Sequence, residues 1–141
     1  MRKLGRKSNN RKSLIKNLVT SLIIYEHVET TLPKAKELKS HFDKFISDAK
    51  KDNLSNKRKA KSYLSHNNAY IKLYEEIIPR YKDIDSGFTS IYIMGTRVGD
   101  GGRKALVRLT KSIHNEDSKK KDVNKEKNDN KAVKENKWKI I

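Results

Sequence analysis

Apolar residues recur every three to four positions over much of the chain, and this spacing is typical of helices that bury one face. It predicts a first helix from about Asn10 to Glu26, capped by Asn9 or Asn10, and a second helix that ends near Lys51. Thr31 is the predicted N-cap of the second helix, with Pro33 in its first turn, where a missing N–H removes no helical hydrogen bond. The apolar positions of these two helices are Leu14, Ile15, Leu18, Val19, Leu22, Ile23, Ala35, Leu38, Phe42, Phe45, Ile46 and Ala49.

Two further helical stretches follow, and the first, LSNKRKAKSYLS, has only a thin apolar side. Asn67 or Asn68 is the predicted cap of the last helix, and Pro79 is expected to stiffen or bend its final turn. Aromatic residues at helical spacing are more typical of packing than of base stacking, so we expect Tyr63 to pack at the core edge with its hydroxyl exposed. The apolar positions of both stretches are Leu54, Ala60, Leu64, Tyr70, Leu73, Tyr74, Ile77, Ile78 and Tyr81.

Three segments instead alternate in character with a period of two, which is typical of β-strands. They are HVETT (27–31), GFTSIYIMGT (87–96) and KALVRLT (104–110). The last two flank RVGDGGR, whose glycines favour a hairpin connection; because no Lys-Ser/Thr pair and no helix follow it, the loop does not match a phosphate-binding loop. The pattern predicts an α+β fold with about four helices packed on a small three-stranded mixed sheet that ends in a C-terminal β-hairpin.

Composition changes near residue 112. Residues 112–141 consist mainly of Lys, Asn, Asp and Glu, and they carry too few apolar side chains to offset the entropy of ordering. We therefore predict a basic arm at residues 1–8, one α+β domain at residues 9–111, and a disordered lysine-rich tail at residues 112–141. No function is assigned to the tail.

The charge of the chain is strongly positive. It contains 34 Lys and Arg against 17 Asp and Glu, a net charge of +17, and only +4 of this comes from residues 111–141. Such a charge favours a polyanionic partner, and nucleic acid is favoured over an acidic membrane surface because cations that replace condensed counterions on phosphates gain entropy. No apolar run approaches the roughly 18 residues of a membrane span. With nucleic acid favoured as the polyanion, the predicted partners include no membrane.

The basic arm and the start of the first helix contain seven cations and no acid between residues 2 and 16. A charge run is usually a solvated surface, but this one adjoins a core-forming helix that can hold it at a fixed place on the fold. A basic, acid-poor opening also fits an organellar transit peptide, and this alternative stays open. The candidate RNA-binding residues are Arg2, Lys3, Arg6, Lys7, Arg11, Lys12, Lys16, Lys34, Lys36, Lys57, Arg58, Lys59, Lys61, Arg97, Arg103 and Lys104.

Catalytic chemistry has little support in the sequence. Cysteine is absent, and the four histidines, at positions 27, 41, 66 and 114, have no metal-ligand spacing. There is also no nucleophile elbow, no H-E-x-x-H motif and no carboxylate pair. We therefore predict a protein that is not an enzyme, with no catalytic residue, metal, cofactor or small-molecule substrate.

Five blocks, in this order, resemble the bacterial large-subunit ribosomal protein L17 family over roughly residues 2–110. They are KLGRKSNNRKSLIKNL, HVETTLPKAKELK, EEIIPRYKD, GFTSI and GTRVGDGGRKALVRL, and the piece from Glu29 to Leu38 is the most specific. The sequence departs from the family pattern at four positions. Asn10 stands for a usual His, Lys16 and Ser90 each stand for an Arg, and Arg103 stands for a frequent Pro.

The resemblance implies a cytoplasmic structural protein of the large ribosomal subunit, bound to ribosomal RNA near the nascent-chain tunnel exit and beside neighbouring large-subunit ribosomal proteins. It also implies that the arm before the first helix is bound to RNA, a role carried here to Arg2, Lys3, Arg6, Lys7 and Arg11. Two other classes stay open on the residues alone. A nonspecific DNA-compacting protein would use the same charge, and a peripheral membrane protein would need to expose an apolar helical stripe.

Overall fold

A computed structural model describes residues 2–111. The order of elements is helix, strand, three helices and a hairpin, so the predicted α+β class is confirmed. The predicted tail at residues 112–141 lies outside the described residues. In chain order the elements are α1 (Ser8–Tyr25), β1 (His27–Thr31), α2 (Leu32–Lys50), α3 (Leu54–Tyr63), α4 (residues 67–80), β2 (Thr89–Thr96) and β3 (Arg103–Leu109). Helix α4 begins as an α-helix at Asn67–Lys72, continues as a π-helical segment at Leu73–Ile77 and ends at Ile78–Arg80.

The sheet has the strand order β1-β3-β2. Strand β3 runs opposite to both neighbours, with His27 opposite Arg108 on one side and Thr89 opposite Leu109 on the other. The prediction of a mixed sheet is therefore wrong in this detail. The chain returns along β3 between the two other strands, which makes every hydrogen-bonded pair antiparallel and leaves β1 and β2 parallel only as non-neighbours.

The core lies between the helices and the sheet. The stripes predicted for α2 and α4 are confirmed, because their central residues Leu38, Phe42, Leu73 and Ile77 are fully buried. In α1 the buried side is formed by Ile15, Val19, Leu22 and Ile23, while Leu14 is only partly buried.

The predicted N-cap positions are correct for α2 and wrong for α1 and α4. Helix α2 is preceded by Thr31 and has Pro33 in its first turn, whereas α1 is preceded by Lys7 and α4 by His66. The asparagines expected to cap α1 and α4 lie inside the first turns instead, and none of these three caps uses a side-chain hydrogen bond. Helix α1 begins earlier because the N–H of Arg11 donates to the carbonyl of Lys7 at 3.0 Å.

Glu26 makes the junction between α1 and β1. Its backbone is left-handed, with φ of +61°, and its N–H donates to the carbonyl of Leu22 at 2.9 Å. Its carbonyl accepts a hydrogen bond of 3.0 Å from the N–H of Leu109, the last residue of β3. The chain therefore leaves the helix and enters the sheet at a single residue, which fixes α1 relative to β1 and β3.

Candidate nucleic-acid interface

The residues before α1 form a tight turn. The N–H of Arg6 donates to the carbonyl of Lys3 at 3.1 Å, and the two residues between them, Leu4 and Gly5, have φ of +52° and +64°. Positive φ at both central positions is the pattern of a type I′ turn. The side chain of Leu4 is partly buried and packs against the core. The turn thus attaches the arm to the fold at Leu4 and leaves four cations exposed, which are Arg2, Lys3, Arg6 and Lys7.

The first turn of α1 adds unpaired donors to this basic segment. It contains no acidic residue, and no side chain caps its N–H groups. Free N–H groups and the positive end of the helix dipole favour an anion at such a terminus. The arm and the helix start therefore present charge of one sign, with Lys12 exposed and Arg11 partly buried behind them.

Residues of helices α1, α2 and α3 line an open cleft of about 740 Å³, which we call the α1–α3 cleft. Four of the predicted site residues meet here, although they are far apart in sequence. No acidic side chain is among the residues that line the cleft. These residues are Lys12, Ser13, Ile15 and Lys16 of α1, His41 of α2, and Arg58, Lys59, Ser62 and Tyr63 of α3.

Two contacts hold the walls of the α1–α3 cleft. Lys16 Nζ donates to the carbonyl oxygen of Ser62 at 3.3 Å and so connects α1 with α3. The ring of Tyr63 packs on Phe45 with 5.0 Å between centroids and 33° between planes. Tyr63 is partly buried, and this burial raises the pKa of its phenol. The prediction that Tyr63 packs at the core edge is confirmed, but the structure also places it on the wall of a cationic cleft.

Two predicted site residues form ion pairs with acidic side chains of residues 2–111. Lys57 Nζ lies 2.5 Å from Oδ1 of Asp52, and this hydrogen bond, followed by the charge of the same carboxylate, raises the pKa of Lys57. Arg97 Nη1 lies 3.1 Å from Oδ2 of Asp100 inside the hairpin turn. Lys61 is exposed but does not line the α1–α3 cleft.

A second group of predicted residues lies at the base of the hairpin. The pairing of Thr31 with Lys104 places β3 beside the start of α2, three residues before Lys34. Arg103 and Lys104 are exposed, as is Lys36, while Lys34 is partly buried. The structure therefore divides the predicted cations among the arm, the α1–α3 cleft and the hairpin base.

The outer half of the hairpin exposes apolar side chains on both faces. Tyr92 and Met94 point to one face and are 54% and 51% exposed, while Ile93 on the other face is 67% exposed. Val98 in the turn is 99% exposed. The alternating sequence predicts strand structure here but gives no sign that the helices cover only the first residues of β2.

Two kinds of arrangement are absent from residues 2–111. Over this range, no group of three or more His, Cys, Asp or Glu side chains is placed to hold a metal ion. No helix in the same range combines the length and the apolar character needed to cross a bilayer.

Sequence reasoning missed three features of the candidate interface: the packing of Leu4, and the positions of His41 and Tyr63 on the cleft wall. Leu4 is a single apolar residue in a basic segment, so it produces no periodic pattern. His41 belongs to the same helix as the core residues Leu38 and Phe42, and its position in the sequence gives no indication of the cations that face it from α1 and α3.

Comparison with known proteins gives a consistent result. A family model described as ribosomal protein L17 matches residues 14–110. The match begins inside α1, so it does not include the arm.

Curated relatives are similar over most of the chain, and each of the following is described as large ribosomal subunit protein bL17. The protein from Koribacter versatilis is 45% identical over 76% of this chain and 66% of its own length. The protein from Moorella thermoacetica is 44% identical over 77% of this chain and 96% of its own length. The protein from Halothermothrix orenii is 42% identical over 77% of this chain and 95% of its own length.

Proposed function

Because this chain belongs to the ribosomal protein L17 family, it is a structural protein of the large ribosomal subunit and not an enzyme, and we propose that it binds and stabilises large-subunit ribosomal RNA. The resemblance also supports a position near the nascent-chain tunnel exit of cytoplasmic ribosomes. The chain would act there as a scaffold for folded RNA, and not as a catalyst or a reader of sequence.

One observation carries this proposal: an acid-free basic arm is fixed to the fold by Leu4. The arm therefore presents its cations at a defined distance from the uncapped start of α1. Phosphates that replace solvent along this segment release their condensed counterions, and each contact adds to the affinity. A free tail has the same charge but loses more conformational entropy when it binds.

The cations of the α1–α3 cleft and of the hairpin base extend the interface beyond the arm. Arg58 and Lys59 are exposed on α3, and Arg103 and Lys104 are exposed on β3. Contacts from separate elements match the shape of folded RNA, in which phosphates of different strands lie close together. Lys57 and Arg97 would first have to release Asp52 and Asp100.

The apolar outer half of the hairpin suits a protein neighbour. Tyr92, Ile93, Met94 and Val98 would be costly to leave in water as a group, and exposed apolar patches are typical of protein contacts. We therefore assign the phosphate contacts to the cationic surfaces and the contacts with neighbouring ribosomal proteins to this part of the hairpin.

The salt dependence of binding tests the role of the arm. The full chain would be titrated with protein-free large-subunit ribosomal RNA at several salt concentrations, with the triple variant Arg2→Ala, Lys3→Ala, Arg6→Ala beside it. Loss of three phosphate contacts should reduce the slope of log affinity against log salt by about 2 to 3. The melting temperature of the free protein should hardly move, because all three side chains are exposed.

A matched control removes three exposed lysines elsewhere: Lys44, Lys51 and Lys82. It changes the net charge equally but should reduce the slope much less. Equal effects of the two triple variants would contradict a localised arm interface. If duplex DNA binds the unmodified chain as tightly as the ribosomal RNA does, nonspecific nucleic-acid compaction becomes the better function.

A further inference from the structure

We propose that the α1–α3 cleft receives one unstacked nucleotide of RNA, with its base against Tyr63 and His41 and its phosphate among the cations at the rim. This inference rests on the proposed RNA-binding function and names the ligand of one part of that interface. It differs from contact with a continuous RNA backbone, because a nucleotide must leave its stack to enter the cleft.

The size of the cleft suits a single nucleotide. Its volume of about 740 Å³ lies within the range of roughly 300 to 1,000 Å³ that is typical of small-ligand sites. A base-paired helix is far wider than such a cleft and can only lie across its mouth. Unpaired loops and bulges, in contrast, present bases that can be turned outward and stacked on aromatic side chains.

The chemistry of the lining combines the two surfaces that a nucleotide needs. Tyr63 and His41 supply aromatic rings, and Ile15 supplies an apolar contact at the core side. Lys12 and Lys16 come from α1, while Arg58 and Lys59 come from α3, so cations face the cleft from two sides. A phosphate between these sides would relieve their mutual repulsion.

The aromatic wall is held in place before any ligand binds. Tyr63 packs on Phe45 at 5.0 Å between ring centroids, which restricts the orientation of its ring. An ordered ring loses little conformational entropy when a base stacks on it. The hydrogen bond that crosses the cleft from Lys16 Nζ to the Ser62 carbonyl is exposed and 3.3 Å long, so a phosphate oxygen can replace that carbonyl as the acceptor.

Substitution of Tyr63 in the full chain tests the proposal, with protein-free large-subunit ribosomal RNA as the probe. Base stacking on an aromatic side chain is worth about 1 to 3 kcal/mol, so Tyr63→Leu should weaken binding about 5- to 150-fold. Because no charge is removed, the dependence of affinity on salt should stay the same. Tyr63→Phe keeps the ring and should bind nearly as tightly as the unmodified chain.

Tyr25→Leu is the matched control, since Tyr25 is 65% exposed and does not line the cleft. It should bind like the unmodified chain. Melting temperatures of the variants separate loss of binding from loss of folding, and a second measurement avoids substitution altogether. Ultraviolet crosslinking of the unmodified complex, read by mass spectrometry, should join a nucleotide to the peptide that contains Tyr63 or to the one that contains His41.

The outcomes separate this inference from the proposed function. If Tyr63→Leu binds normally, or if crosslinks form on the arm but on neither cleft peptide, the nucleotide site is refuted while the RNA-binding function stands. If neither the unmodified chain nor its variants bind the RNA, the function itself fails. If the cleft side chains are protected from chemical modification only after other ribosomal proteins are added, the cleft would be assigned to a protein neighbour. This result would also refute the nucleotide site.

Discussion

Arg80 donates a hydrogen bond of 2.9 Å from Nη1 to Oε1 of Glu26, whose carboxylate is buried where α1 ends. Lys72 Nζ lies 3.4 Å from the same oxygen and donates to the carbonyl of Ile24 at 2.9 Å. One buried acid thus binds two cations of α4 and ties that helix to the junction of α1 and β1. In a chain with a large excess of positive charge, these two cations serve the fold.

Replacing Glu26 with Gln should therefore destabilise the protein. The substitution removes the buried carboxylate from Lys72 and Arg80, whose side chains are 24% and 21% exposed. Arg80 keeps its pair with the exposed Glu76, and Lys72 keeps its hydrogen bond to the carbonyl of Ile24. Breaking a largely buried pair is destabilising because the remaining charge loses its partner, and we expect a loss of about 1 to 3 kcal/mol in the free energy of unfolding. Urea denaturation monitored by circular dichroism measures this difference.

Glu76→Gln provides the comparison for this variant. Glu76 pairs with Arg80 at 3.1 Å, but its side chain is 48% exposed. An exposed pair at i, i+4 is worth only about 0.3 to 0.5 kcal/mol. A loss as large for Glu76→Gln as for Glu26→Gln would show that the burial of Glu26 has no special role.

Tyr81 should make the stability of the protein fall at alkaline pH. Its hydroxyl donates to the carbonyl of Phe88 at 3.2 Å and accepts from the N–H of Lys111 at 2.8 Å. Burial raises the pKa of Tyr81 above its ordinary value of 10.0. The contribution of this group is therefore complete below the unfolded pKa and is lost as the pH rises through the folded pKa, because only the unfolded chain releases the proton easily.

Tyr81→Phe tests this linkage. The variant should lose about 1 to 2 kcal/mol near neutral pH, since the N–H of Lys111 loses its acceptor. Above pH 10 the difference between the variant and the unmodified protein should shrink. Tyr92→Phe, at a tyrosine that is 54% exposed, should show neither effect. A constant difference between Tyr81→Phe and the unmodified protein across this pH range would contradict the assignment.

Leu4 should control how well the arm binds without changing its charge. Leu4→Ala removes most of the side chain that holds the turn against the core. Affinity for large-subunit ribosomal RNA should fall about 3- to 10-fold, because a looser arm loses more conformational entropy on binding. The slope of log affinity against log salt should stay the same, since every cation is retained.

Leu54→Ala is the control for Leu4, because Leu54 is 64% exposed and lies outside the core cluster. Its affinity for the RNA should equal that of the unmodified chain. A smaller salt slope for Leu4→Ala would mean that its effect is electrostatic, which would contradict the anchoring role.

Periodicity was sufficient to predict the class of the fold and most of the core. Helical spacing located Leu38, Phe42, Leu73 and Ile77 correctly because burial on one helical face is a local property of the sequence. The direction of strand pairing was not predictable in this way. It depends on where β3 returns relative to β1. This position is determined by the packing of the helices that lie between the two strands in the sequence.

The candidate interface was predictable in composition but not in arrangement. The cations of α1 and α3 stand out individually, yet their convergence on one cleft depends on the packing of both helices against α2. Local pairing was also missed. Lys57 bonds to Asp52, five residues earlier and outside the helix, where the i, i+4 spacing that indicates pairing within a helix does not apply.

The pairing of Lys57 with Asp52 leads to a prediction in which the removal of an acid strengthens binding. Asp52→Asn deletes the carboxylate that lies 2.5 Å from Lys57 Nζ, and this cation lies on the same helix as Arg58 and Lys59 of the α1–α3 cleft. If Lys57 then contacts a phosphate, the slope of log affinity against log salt should steepen by about 0.7 to 0.9.

Asp83→Asn separates this local effect from the general gain of positive charge, because Asp83 is exposed and distant in sequence from α3. The two variants have equal net charge, so long-range attraction of RNA should increase by similar amounts in both. Only Asp52→Asn releases a cation on α3, and the additional slope should appear in that variant alone. Equal slopes in the two variants would exclude Lys57 from the interface, even though it belongs to the most basic helix of the fold.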